Sequence, residues 1–214
     1  MIWLSGDSWL DWRSLIKSNL RFEDTLEGLL QETHPTLCFA RGGSGNIRQL
    51  ELIRQYSTFG VLSPQYWIHS WTEVGRDTRN RKYTTNCITD MSKNIANSIV
   101  EIERDLKCKV LVFGGQAEIP QVAQEILKER VITPDWKADL LGSSDYGSSQ
   151  YFSVITDGAT HNLPRQKLKK HALLSHKQLA TLTASERFPD NAHPGVNEYK
   201  DLYNKIKANI DARI

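Results

Sequence analysis

Cysteine, net charge and long apolar runs are all scarce in this chain, and each shortage removes a class of protein. Its 3 cysteines among 214 residues, Cys38, Cys87 and Cys108, are odd in number, widely spaced and form no C-x-x-C pair, so they read as reduced thiols rather than a disulfide frame. His161, His171 and His176 fit no usual ligand spacing and have no cysteine nearby, so no metal is expected and no cofactor is implied. The 27 basic residues nearly balance the 25 acidic ones, leaving a net charge of +2, which speaks against a dedicated nucleic-acid partner. No apolar run approaches bilayer length, so no membrane partner is expected either. The amino terminus has neither a basic start nor a signal-type apolar stretch, which predicts cytoplasmic synthesis without a signal peptide. Internal repeats and clear domain boundaries are also missing, and residues 1–214 read as a single domain.

What is present is a globular composition, 39% hydrophobic and 24% charged, in which apolar runs alternate with amphipathic stretches. That is the pattern of an α/β chain, a parallel sheet with covering helices. The expected strands are Met1 to Leu4, Thr36 to Ala40, Tyr66 to Ser70 and Lys109 to Phe113, with Tyr151 to Ile155 as a candidate fifth. Helical spacing joins Ile95, Ile99, Ile102 and Leu106, then Ile119, Val122, Ala123, Ile126 and Leu127, with Pro120 placed for a first turn. After Pro194 it joins Val196, Tyr199, Leu202, Tyr203, Ile206 and Ile210. The stretch from Val131 to Leu163 is less regular, and its small polar run 142–149 reads as a surface loop. The basic run 165–171 reads as a solvated helix face.

Chemistry enters at Gly6-Asp7-Ser8, which follows the first apolar run and precedes Trp9 to Leu20, a segment that reads as a helix. In an open α/β sheet the carboxyl ends of the strands line the functional crevice, and Ser8 stands at such an end. Near the other terminus lies Asp190-Asn191-Ala192-His193-Pro194. A serine hydroxyl becomes a nucleophile when a base removes its proton, and the base works best when a carboxylate fixes its tautomer. Ser8, His193 and Asp190 supply those three parts. Asp7 has a structural role open to it, capping the helix that follows.

With these two blocks the chain resembles the SGNH, or GDSL-type, hydrolases, a family of esterases, lipases and carbohydrate deacetylases. The resemblance implies a flavodoxin-like three-layer α/β/α fold with a central, mainly parallel sheet of about five strands. It implies Ser8 as nucleophile, His193 as base, Asp190 as its orienting carboxylate, and an ester or acetyl group, on a small molecule or a carbohydrate, as substrate. The family's second block is matched by Cys38 to Asn46, with Gly45 as the oxyanion glycine and Gly43 as the alternative. Its third block, Gly-x-Asn-Asp, is replaced here by Ser70-Trp71-Thr72-Glu73, which puts Thr72 in the asparagine position. Thr72 offers one hydroxyl donor to an oxyanion hole, and Gln116, after the next strand, is the second candidate. Trp9 and Trp71 are expected to flank the site as aromatic walls for sugar rings or acyl chains.

Two other readings stay open. The altered third block would also suit an SGNH-like structural or binding module, for instance within a phage particle, with virion or homo-oligomer partners and little activity. Gly42 to Asn46 would also serve as a phosphate cradle at a helix start in a flavodoxin-like nucleotide binder, though it has neither a Walker lysine pattern nor GxGxxG spacing.

Overall fold

Parallel strands buried on both faces read as continuous apolar runs, and the runs in this sequence form one such sheet. The computed structural model describes residues 1–15, 20–59, 63–72, 74, 85–115, 117–136 and 194–212. The strands are β1 (Ile2–Ser5), β2 (Thr36–Cys38), β3 (Tyr66–Trp71), β4 (Lys109–Gly114) and β5 (Val131–Thr133). Their order is β2-β1-β3-β4-β5, and every neighbouring pair is parallel. The expected strand Tyr151 to Ile155 lies outside the described residues, as does the run 142–149. The fifth strand seen is Val131–Thr133, which pairs with β4 through a register shift at Val112/Phe113. Only Thr133 of the three is buried, so the segment is too short and too exposed to leave a periodic signal.

Alternation along each strand sends side chains to two separate cores. Ile2, Leu4, Tyr66, Ile68, Leu111 and Phe113 meet α1 (Trp12–Leu15), α2 (Leu26–Gln31) and α6 (Val196–Asp211). Trp3, Trp67, Trp71, Val110 and Val112 meet α3 (Asn46–Thr58), α4 (Thr85–Leu106) and α5 (Gln121–Leu127). The result is a three-layer α/β/α arrangement. Ile95, Ile99, Ile102 and Leu106 of α4 are all buried, as their spacing predicts. Burying each such aliphatic side chain contributes about 1.5–3 kcal/mol, so the stripe, rather than helix propensity, holds α4 on the sheet. Pro120 stands at the N-cap of α5, just outside the first turn. Among the described residues, no helix is long and apolar enough to cross a membrane.

The connection from β1 runs over one face to reach β2, and α3 returns over the other face to reach β3. The strand order therefore reverses at the boundary between β1 and β3, and the carboxyl ends of these two strands diverge into a crevice. The loop carrying Ser8 leaves β1 there, and Thr72 leaves β3 beside it.

Candidate functional site

Three loops meet at this edge, and buried polar groups set their positions. The chain leaves β1 through Gly6, which packs so tightly on β3 that an added Cβ would lie 2.6 Å from the Ser70 Cβ. Asp7 is fully buried, and its Oδ1 accepts the Trp9 N–H at 3.1 Å while its carbonyl accepts the N–H groups of Leu10 and Asp11. It therefore caps the turn after Ser8, as expected from its place before a helical segment. Ser8 is half-buried, held on the first turn above the strand end. Of the expected helix Trp9 to Leu20, α1 is seen over Trp12–Leu15, and residues 16–19 lie outside the described residues.

The second loop, Arg41 to Gly45, is pinned to the first by two bonds and to α3 by a third. The Arg41 N–H donates to the Gly6 carbonyl at 3.2 Å, the Gly42 N–H donates to Asp11 Oδ2 at 3.0 Å, and Gln49 Nε2 donates to Ser44 Oγ at 2.8 Å. Gly42 is the residue that faces the nucleophile position, since a Cβ built on it would stand 3.7 Å from the Ser8 Cβ. Its N–H is engaged by Asp11, which leaves Gly43 and Gly45 as the loop's oxyanion candidates. Gly43 adopts a φ of 73° in open space, a left-handed conformation that favours glycine. Gly45 ends the loop as the N-cap of α3.

The third loop begins at Thr72, which is fully buried and whose Oγ1 has no hydrogen-bond partner. Its backbone is held from both sides by one side chain. Asn46 Oδ1 accepts the Thr72 N–H at 2.9 Å, and Asn46 Nδ2 donates to the Thr72 carbonyl at 2.7 Å. An orphaned buried hydroxyl is costly, so a fixed backbone with a free donor is an arrangement suited to a ligand atom.

Beneath these loops runs a Ser/His cluster that sequence reasoning missed. Ser5 and His69 are register partners across β1 and β3, so their side chains emerge together on the α3 face. Trp67 Nε1 donates to Ser5 Oγ at 2.7 Å, Ser5 Oγ bonds His69 Nδ1 at 2.8 Å, and His69 Nε2 bonds Asn46 Oδ1 at 3.3 Å. The Asn46 carbonyl can only accept, so His69 carries its proton on Nε2 and Ser5 donates to Nδ1. A hydrogen-bonded serine and histidine form the working pair of a serine hydrolase, but this pair is 0% exposed on both sides. Burial also drives the His69 pKa down to about 3, which makes it a weak base. The cluster supports the site from below.

Several expected site residues require a different account. Trp9 and Trp71 are both fully buried and belong to opposite cores. Trp9 packs edge-on against Trp136 with ring centroids 5.4 Å apart, and Trp71 shares strand parity with Trp67 under α3. They are core residues rather than walls of one site. His193, Asp190 and Gln116 lie outside the described residues, as do His161, His171, His176 and the run 165–171. The described residues contain no grouping of histidine, cysteine or carboxylate side chains that would hold a metal. A groove of about 220 Å³ opens between α3 and α4, lined by Ile47, Leu50, Arg54, Met91 and Ile95, and it includes neither Ser8 nor Thr72.

The signal for the missed amides was present in the sequence. Asn46, Gln49, Leu50 and Ile53 recur at helical spacing and form the buried face of α3. Two polar residues on an inward face announce a network, but the residues they meet come from other strands.

No protein-family model and no curated protein matches the chain. Among solved structures, the chain is similar to the crystal structure of TesA, with a TM-score of 0.53 and 11% identity over 100% of this chain and 99% of that one. It is likewise similar to the psychrotrophic esterase EstA from Pseudoalteromonas sp., in a structure inhibited by monoethylphosphonate, with a TM-score of 0.52 and 10% identity over 99% and 96% of the two chains. Over its described residues the chain thus has a five-stranded parallel sheet between helical layers, a fold of the kind found in these two proteins.

Proposed function

We propose that the chain is a serine hydrolase that cleaves an ester or acetyl group, on a small molecule or a carbohydrate, with Ser8 as its nucleophile. The observation that carries this reading is the pairing of Ser8, half-buried at the carboxyl end of β1, with the orphaned Thr72 hydroxyl at the end of adjacent β3. A partly exposed serine and an unpartnered hydroxyl at neighbouring strand ends are parts that acyl transfer uses. The esterase EstA in the same fold is inhibited by a phosphonate, which supports the same chemistry for this crevice.

In this reading His193 accepts the Ser8 proton as the hydroxyl attacks the carbonyl, Asp190 holds the imidazole, and His193 then protonates the leaving alcohol. Water cleaves the resulting acyl-enzyme by the same route. The Ser8 N–H, the N–H of Gly45 or Gly43, and a side chain from Thr72 or Gln116 receive the developing oxyanion. Support for His193 comes from α6, which begins two residues beyond Pro194 and is tied to the residue next to Ser8 by a bond from the Tyr199 hydroxyl to the Trp9 carbonyl.

The test is labelling by a fluorophosphonate together with hydrolysis of short-chain nitrophenyl esters. Ser8→Ala is expected to abolish both with little change in melting. Ser5→Ala should keep the label but lower stability by about 1–3 kcal/mol, because it strands the Trp67 N–H and His69 Nδ1 in the core. Labelling that survives Ser8→Ala and vanishes in Ser5→Ala would move the nucleophile to Ser5. A folded wild type that takes no label would favour a binding or structural module, with virion components or other copies of the chain as the partners to seek.

A further inference from the structure

The inner face of α3 carries two buried amides one turn apart, and between them they reach all three loops of the crevice. Asn46 and Gln49 are both 0% exposed. Asn46 bonds both the N–H and the carbonyl of Thr72 after β3. Gln49 Oε1 accepts the Gly6 N–H after β1 at 3.3 Å, and its Nε2 donates to Ser44 Oγ after β2 at 2.8 Å. The strand ends would otherwise be joined at this edge only through the loops themselves, because the ladder between β1 and β3 stops at Ser5/His69.

The orientation of the Asn46 amide is itself determined. Its oxygen faces two donors, the Thr72 N–H and His69 Nε2–H. The Thr72 N–H and carbonyl alone fix which way the amide points, and the oxygen they place opposite His69 can only accept, so His69 carries its proton on Nε2 and Nδ1 accepts from Ser5 Oγ. The two bonds to the Thr72 backbone thus set the amide, and the His69, Ser5 and Trp67 bonds follow from it beneath the loops. Flipping that amide would set its NH2 against two donors and its oxygen against a carbonyl, so the arrangement has one low-energy state.

We propose that Asn46 and Gln49 are positioning residues that hold Thr72, the glycine loop and the Ser8 turn in fixed register across the crevice, with His69 Nε2–H as a further donor to the Asn46 oxygen. The proposal rests on the reading of Ser8 as nucleophile and Thr72 as oxyanion donor, and it predicts how the two amides act. They touch no substrate. Their loss misplaces groups that do, and a misplacement on the order of 1 Å can reduce turnover about a hundredfold.

The experiment is a double-mutant cycle between Asn46 and Thr72, using Asn46→Ser and Asn46→Asp, each with and without Thr72→Val, and Gln49→Leu as the companion. Expected is a fall in kcat of about ten- to a hundredfold for each Asn46 variant with KM nearly unchanged. In the Thr72→Val background, Asn46→Ser should have little further effect, because the group it positions is already gone. Fully additive losses, or variants with a lower Tm and an unchanged kcat at low temperature, would overturn the proposal and leave Asn46 with a packing role only. Amide hydrogen exchange separates this outcome from failure of the hydrolase reading. If the folded wild type neither labels nor turns over, the reading of Ser8 fails. The positioning role then stands or falls on whether the Thr72 and Gly6 amides, protected in the wild type, exchange faster in Asn46→Ser and Gln49→Leu respectively.

Discussion

At the scale of the residue, the most telling group is the Thr72 hydroxyl, because its stability and its function point in opposite directions. A buried hydroxyl without a partner contributes nothing to the fold and costs desolvation, so an isosteric methyl in its place removes a penalty. Thr72→Val should therefore melt at or slightly above the wild-type temperature while turnover falls, by about a hundred- to a thousandfold if the hydroxyl is an oxyanion donor. A variant with raised stability and full turnover would remove Thr72 from the machinery and leave Gln116 as the remaining side-chain candidate. Ser70 supplies an internal control, since its Oγ is also buried and unpartnered but is wedged against Gly115, where an added Cβ would lie 2.2 Å from it. Ser70→Ala should share the stability effect and leave turnover alone. The position of Ser8 was legible in the sequence because an apolar run ending in Gly-Asp-Ser marks a strand end. The roles of Trp9 and Trp71 were not, because closeness to a catalytic residue in sequence says nothing of which face a side chain takes. Trp71 follows Trp67 and His69 at the strand period of two, and that parity sends it under α3.

At the scale of the element, the site depends on how helices dock at the carboxyl edge. The long buried strands were legible from their apolar runs, and α4 and α6 from their periodicity. β5 was not, since three residues at a sheet edge carry too little pattern. The convergence of α1, α3 and α6 on the crevice was also hidden, because it is built from single long-range bonds. The bond from the Tyr199 hydroxyl to the Trp9 carbonyl joins residues 190 positions apart, and Trp136 packs on both aromatic rings with centroid distances of 5.4 and 5.6 Å. Tyr199→Phe keeps the ring and deletes the bond, which should lower stability by about 0.5–1.5 kcal/mol. If α6 seats the base, the same variant should slow fluorophosphonate labelling more than Ile99→Val does, an α4 change of similar energetic size on the opposite face. Equal labelling rates in two variants of equal melting temperature would show that the docking of α6 and the reactivity of Ser8 are independent.

At the scale of the whole molecule, buried titratable groups set the pH range over which the fold holds. Burial lowers the His69 pKa from the ordinary 6.5 to about 3. Between those values an unfolded chain binds a proton that the folded chain refuses, so this contribution is fully present above pH 6.5 and is lost as the pH falls toward 3. One such proton gives a slope of about 1.4 kcal/mol per pH unit within that window. Glu27 acts in the opposite sense, because burial raises its pKa above 4.5 and makes the folded chain the better proton acceptor there. On the alkaline side, burial pushes Cys38 up and Cys108 up to about 12 from an ordinary value of 9.0. An unfolded chain loses those thiol protons first, so stability declines again above pH 9. The fold should thus show a plateau between about pH 6.5 and 9 with a shoulder on each side. Urea unfolding across pH 4 to 10 measures it, and His69→Asn should flatten the acidic shoulder by close to one proton while Cys108→Ala flattens the alkaline one. An acidic slope at pH 5 to 6 that is unchanged in His69→Asn would mean that His69 is protonated in the folded chain. Ser5 would then have to accept from Nδ1–H instead of donating to it, while Nε2–H would still donate to the Asn46 oxygen and leave its hold on Thr72 intact.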